Sequence, residues 1–253
     1  MEKQFFHLDD SCAALFRANG LDSFEALWNA DVKIVDDPNV GRGGHSNVGI
    51  FSLTDPETHT EMQFYLKRQQ NHNCRTLSSP LEGIPLAMRE VLNIRQLAKG
   101  GILTMEVACY GRQKTSIDRG LLVTRALEGY TPMSQWLEQP MSPEARKQGL
   151  SILGKLVGKL HGLGLGHGCL YTKHIYFSCT DPQDIRLIDL EKCRRLMSRN
   201  RGPKELATLF RNTGQLTPED RQQLLEAYIE TSPVHWSLPA LQKKVADKIM
   251  AKG

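Results

Sequence analysis

The sequence predicts an α+β fold, strand-rich in its first part and helical in its second. Two observations carry that expectation. β-prone runs at residues 31–35, 61–69, 106–111 and 120–125 all precede residue 126, and only residues 86–99 among them show long helical spacing. From Gly129 onward helical spacing dominates, and Ser142-Pro143-Glu144 opens a long run to His161. The join lies near residues 124–129, which gives two expected domains, 1–125 and 126–253.

Taken in order, residues 11–18 read as a helix stopped by Asn19-Gly20, and residues 23–29 as a second short one. The run 31–35 is β-prone and is broken by Asp36-Asp37-Pro38. A glycine-rich segment, Val40 to Ile50, follows. In 61–69, Phe64 and Leu66 fall on one strand face, Tyr65 and Lys67 on the other. Leu86, Val91, Ile94 and Leu97 recur at helical spacing until Gly100-Gly101 ends the helix. Residues 162–184 are rich in loop formers, 185–190 form a short apolar strand, and the remainder is helical.

Composition bounds the function classes. The chain has 253 residues, 24% charged and 40% hydrophobic, which is an ordinary globular balance. Its net charge of +4 is too small to argue for nucleic acid, yet it suits a phosphorylated ligand or an anionic membrane surface. The first residues lack the basic head and apolar run of a signal peptide, and no stretch approaches the roughly 20 apolar residues of a membrane helix. The six cysteines contain no CxxC pair, so reduced thiols in the cytoplasm are expected.

Five local signals occur in an informative order. Gly41-x-Gly43-x-x-Ser46 lies between β-prone runs, where glycines let a hairpin close over phosphates; alone it reads more readily as a surface turn with no ligand. Lys67 on a strand and Glu90 on a helix are suited to an ion pair facing an anion, or are unrelated surface residues. Glycines at 162, 164, 166 and 168 break the long helix into a loop carrying His161, His167, Cys169 and His174. As a bare cluster these also suggest a metal site. Asp189 ends a short apolar run, as a magnesium ligand or a helix cap. Residues 202–211 form an amphipathic helix suited to packing.

That order is the order of a protein kinase. With the run His167-Gly168-Cys169-Leu170-Tyr171-Thr172-Lys173-His174-Ile175, the chain resembles the bacterial lipopolysaccharide kinases of the Kdo/WaaP type, with their InaA-like members, over residues 32–228. The resemblance implies a two-lobed protein-kinase-like fold: a small antiparallel-sheet lobe with one helix, then a mostly helical lobe. It implies that Gly41, Gly43 and Ser46 lie over the phosphates of ATP, that Lys67 contacts them, and that Glu90 orients Lys67. Backbone groups near Thr124 and Ala126 would meet adenine. Asp189 and His174 would hold Mg²⁺, with His167 and Cys169 in the catalytic loop.

Cys169 departs from the kinase pattern, because it occupies the place of the aspartate that takes the acceptor's proton. A thiol of pKa ~8.5 is a poor base at neutral pH, although a general base contributes only about 10²–10⁴-fold. Two readings follow. One is an ATP- and Mg²⁺-dependent kinase acting on a sugar hydroxyl of the lipopolysaccharide core or another small acceptor, cytoplasmic and in peripheral contact with the inner membrane. The other is a pseudokinase, a nucleotide-binding regulator or scaffold in envelope or stress response. Lys192, Arg194, Arg195, Arg199, Arg201 and Lys204 form a basic run after Asp189, suited to a phosphorylated sugar or an anionic membrane face.

Overall fold

The computed structural model describes residues 3–36, 39–41, 43–76, 79–198 and 201–251. Asp37 and Pro38 of the expected break, Arg42 of the glycine-rich segment and Arg199 of the basic run lie outside them. The class is α+β, and every pairing between named strands among the described residues is antiparallel. The chain divides into two compact units, residues 1–92 with 105–127, and residues 93–104 with 128–253.

The first unit contains β1 (Lys3–Leu8), α1 (Asp10–Ala18), α2 (Phe24–Asn29), β2 (Lys33–Ile34), β3 (Asn39–Gly41), β4 (Gly44–Thr54), β5 (Glu61–Gln70), β6 (Asn73–Thr76), β7 (Ser79–Pro85), the start of α3 (Leu86–Lys99), β8 (Val107–Lys114) and β9 (Asp118–Arg125). Its main sheet runs β1-β8-β9-β5-β4-β2, with β3 on β4. Strand alternation divides the work of β5. Phe64 and Leu66 are fully buried in a cluster with Phe16 of α1, Phe24 and Leu27 of α2, and Leu121 and Val123 of β9. Each such side chain contributes roughly 1.5–3 kcal/mol on burial. The other face carries Lys67 and Gln69, and there Ala87, Met88 and Val91 of α3 pack against Leu122. The unit therefore holds two short helices beyond the one that the family resemblance implies.

The second unit contains the rest of α3, then β10 (Tyr130–Pro132), α4 (Met133–Trp136), α5 (Pro143–Gly162), β11 (Leu165–Gly166), a 3₁₀ turn (Thr172–His174), β12 (Ile175–Ser178), β13 (Ile185–Leu187), a second 3₁₀ turn (Leu190–Lys192), β14 (Arg194–Arg195), α6 (Gly202–Arg211), α7 (Pro218–Thr231) and α8 (Leu238–Met250). Ser142 caps α5 through its side chain, with Pro143 in the first turn. A Cβ at Gly154 would stand 2.4 Å from Leu224 O, so only glycine lets α7 approach α5 this closely. That approach brings the Tyr228 hydroxyl to His161 Nδ1, 2.9 Å away, at the end of α5.

Candidate active site

Within the first unit, β3 and β4 form the hairpin expected from the glycines, with Gly43 at φ +81° in its turn. An open concavity of about 590 Å³ is lined by Val40, Gly41, Gly43, Gly44, His45 and Asn47. Ser46 is buried instead, and its hydroxyl accepts a 3.2 Å hydrogen bond from Gln69 Nε2. Lys67 Nζ and Glu90 Oε2 stand 2.6 Å apart, with side-chain exposures of 16% and 1%. At the end of β9, the Arg125 and Ala126 N–H groups donate to Glu106 O and Gln63 O, each at 2.9 Å. Those two donors, expected to face a base, are already used within the unit. Thr124 is paired on both sides, with Tyr65 and Val107.

Within the second unit, the loop after α5 is built around two histidines. His167 Nδ1 accepts from Cys169 N–H at 3.3 Å, so Nε2 carries the proton and donates to Ile188 O at 3.0 Å. His174 Nδ1 faces Cys169 O at 2.9 Å, which assigns the proton to Nδ1. Burial lowers the pKa of both rings and outweighs the charges that raise it, chiefly Glu205 beside His167 and Asp189 beside His174. In neutral His174 the Nε2 lone pair then points at Asp189 Oδ2, 3.4 Å away. Two acceptors converging without a proton between them suit a divalent cation, which takes imidazole nitrogen and carboxylate oxygen together. Asp189 itself sits at φ 56°, ψ 57°, a left-handed backbone that ends the expected strand at Leu187. Asn93 of α3 pins the turn that follows, donating to Leu190 O at 2.7 Å and Cys193 O at 3.0 Å.

Cys169 is 7% exposed. Burial pushes its thiol pKa up; the Lys192 ammonium opposes this, and Asp189 and Glu191 add to it. The net direction keeps it a protonated thiol. Two carboxylates elsewhere in the chain are engaged in ion pairs. Asp118 is held by Arg112 at 2.6 Å and Asn73 at 2.8 Å, and Asp184 by the Tyr130 hydroxyl and Arg186. Among the described residues, no group of three or more His, Cys, Asp or Glu is placed to share a metal ion, so His161, His167, Cys169 and His174 do not form the cluster their spacing suggests.

Residues 25–228 match the model of the lipopolysaccharide kinase (Kdo/WaaP) family. The chain belongs to that family. Among its relatives, protein InaA of Escherichia coli (strain K12) is 29% identical over 185 residues, 71% of this chain and 82% of InaA. The lipopolysaccharide core heptose(I) kinase WaaP of Pseudomonas aeruginosa is 28% identical over 174 residues, 62% of this chain and 63% of WaaP. The chain thus spans less than two thirds of that kinase. A solved structure of the bifunctional kinase-methyltransferase WbdD has a TM-score of 0.41 at 15% identity, covering 75% of this chain and 47% of that one.

For this member of the Kdo/WaaP family, sequence reasoning missed the residue that organises the loop. Glu205 of α6 accepts from His167 N at 2.8 Å, Gly168 N at 2.6 Å and His161 Nε2 at 3.2 Å. Burial alone would raise its carboxyl pKa, but hydrogen bonding and charge from His161, the Gly168 N–H and the charge of His167 together hold it below the carboxylate range. A helix glutamate gives no such signal by itself; only its spatial neighbours do.

These shifts predict acid lability. Buried His167 resists the proton that an unfolded histidine takes up below about pH 6.5, so the unfolded state binds more protons there and stability falls. Glu205, depressed in the folded state, contributes stability above its unfolded value of 4.5 that is lost as pH falls through the folded pKa. The urea midpoint should hold steady from about pH 8 to 7 and drop progressively below about 6.5, more steeply below about 4.5. A midpoint independent of pH across that range would contradict both assignments.

Proposed function

We propose that this chain is an ATP-dependent phosphotransferase that places a phosphate on a sugar hydroxyl of the lipopolysaccharide core, at the cytoplasmic face of the inner membrane. The Lys67–Glu90 ion pair is the observation that supports this most. A carboxylate that is 1% exposed carries a large desolvation cost, and apolar residues of similar volume often serve stability as well or better. Its retention beside a nearly buried ammonium suits an anionic ligand better than it suits a core. Family membership supports the same chemistry.

In this reading Lys67 binds phosphate oxygens and Glu90 holds its ammonium in place. The backbone of the hairpin at Gly41 and Gly43 covers the phosphates. His174 Nε2 and Asp189 would hold Mg²⁺, which when bound supplies the positive charge that phosphoryl transfer needs. His167 keeps the loop in shape for an acceptor hydroxyl beside Cys169. Lys192, Arg194, Arg195, Arg201 and Lys204 are exposed and attract a phosphorylated acceptor or the anionic membrane face, where each cation contributes about 1 kcal/mol. No helix among the described residues is long and apolar enough to cross a membrane.

Cys169 favours a second reading. A buried thiol with a raised pKa is a poor base, which suits a pseudokinase that binds nucleotide and regulates a partner in envelope or stress response. Calorimetric titration with ATP and Mg²⁺ tests what both readings share. Wild type is expected to bind, and Lys67→Met and Asp189→Ala each to weaken binding at least about tenfold, since hydrogen bonds to charged groups contribute about 1.5–3 kcal/mol. No binding by wild type would sink both. Phosphate transfer from labelled ATP to core oligosaccharide then separates enzyme from scaffold.

A further inference from the structure

Helix α3 has no capping side chain of its own. The residue before Leu86 is Pro85, which has no hydrogen-bonding side chain, while the first N–H groups of any helix need partners from outside it. The partner of Ala87 N comes from β5: Gln69 Oε1 accepts at 2.6 Å. The same amide donates through Nε2 to Ser46 Oγ of the glycine-rich hairpin at 3.2 Å. Gln69 is completely buried, so neither bond can be replaced by water. A parallel tie runs beside it. His72 Nδ1 donates to Gly41 O at 3.2 Å, and His72 O accepts from Leu86 N at 3.2 Å.

The spacing gives these bonds a consequence. Lys67 and Gln69 are two apart on β5 and share a face; Ala87 and Glu90 are three apart on α3 and share a face. Gln69 to Ala87 and Lys67 to Glu90 are therefore two rungs between one strand and one helix. The first rung fixes the axial position and phase of α3, and a helix turned by one residue, about 100°, would carry Glu90 away from Lys67. We propose that Gln69 is a positioning residue: it caps α3 from the strand so that Glu90 meets Lys67, and it ties the glycine-rich hairpin to the same helix. This rests on the nucleotide reading above for its functional meaning, while its geometric content does not.

Two measurements on the full chain test it. Gln69→Met keeps the volume and removes both bonds, Gln69→Asn keeps a buried amide one methylene too short to span its partners, and Gln69→Glu keeps acceptors for Ala87 N and the Ser46 hydroxyl. Lys67 reactivity is read first, as the rate of reductive methylation at Lys67 by mass spectrometry without nucleotide. It should rise several-fold in Gln69→Met and Gln69→Asn and stay near wild type in Gln69→Glu. The dissociation constant for ATP with Mg²⁺ should rise about tenfold in the first two, and adding Glu90→Gln to Gln69→Met should change it little further. Unchanged Lys67 reactivity in both Gln69→Met and Gln69→Asn overturns the proposal, as does full additivity of Gln69→Met with Glu90→Gln. If wild type binds no ATP, the nucleotide reading falls and Lys67 reactivity alone decides the role of Gln69. Should Gln69→Met fail to fold, Gln69→Asn against Gln69→Glu gives the same decision.

Discussion

Glu205→Ala is expected to lower the melting temperature by about 10 °C and to release the backbone amides of His167 and Gly168 to rapid hydrogen exchange. The magnitude follows from what one carboxylate holds. It accepts from two loop N–H groups and from the His161 ring, which in turn accepts from the Tyr228 hydroxyl. Removing it orphans the donors of buried His161 and His167 at about 1–3 kcal/mol each, and breaking such a charged network typically costs about 3–5 kcal/mol. For a chain of this size each kcal/mol moves the melting temperature by about 2–4 °C. Glu205→Gln, which keeps one acceptor oxygen, should fall between alanine and wild type. A shift below about 2 °C, with both amides still protected, would show that the loop keeps its shape without α6.

Cys169→Asp should raise phosphate transfer to core oligosaccharide by about 10²–10⁴-fold if the chain is an enzyme slowed by its thiol. The carboxylate would enter a setting that partly welcomes it, because the Lys192 ammonium already opposes the thiol's raised pKa, while Asp189 and Glu191 weigh against a new negative charge. The variant should consequently lose about 1–3 kcal/mol of stability while gaining rate. ATP affinity should stay the same. Unchanged affinity with no gain in transfer would place the protein among nucleotide-binding scaffolds, or point to a different acceptor.

How far the sequence carries depends on the range of the interactions that decide each element. Helix α3 coincides with its expected limits, α5 ends one residue beyond His161, and α6 covers residues 202–211, because periodicity, Ser142 and Pro143 are local signals. Strand β1 was not expected: its residues Lys3–Leu8 do not alternate, and they are ordered by pairing with β8 more than a hundred residues later. The two-residue strands β11 and β14 escaped for the same reason. The expected strand at 185–190 stops at Leu187 because Asp189 takes a left-handed backbone that its residue type permits without announcing.

The candidate site divides in the same way. Residues 160–191 declare themselves by their order along the chain, and Lys67 with Glu90 by a strand and a helix at the right separation. Glu205 and Gln69 do not, since a glutamate on an amphipathic helix and a glutamine on a strand become informative only once His161, Gly168, Ser46 and Ala87 surround them.

Gly168 bears on which substitutions such a loop can accept. It sits at φ +83°, and a Cβ there would lie 2.5 Å from Lys192 O, inside any tolerable contact. Protein kinases place an arginine between the corresponding histidine and aspartate. This chain has no side chain at that point, and the N–H of the same residue donates to Glu205. Any side chain at 168 therefore requires the Lys192 backbone to move, so an arginine cannot be introduced there by that one substitution alone. A side chain at 168 is thus a two-part change, in the residue itself and in the backbone it meets.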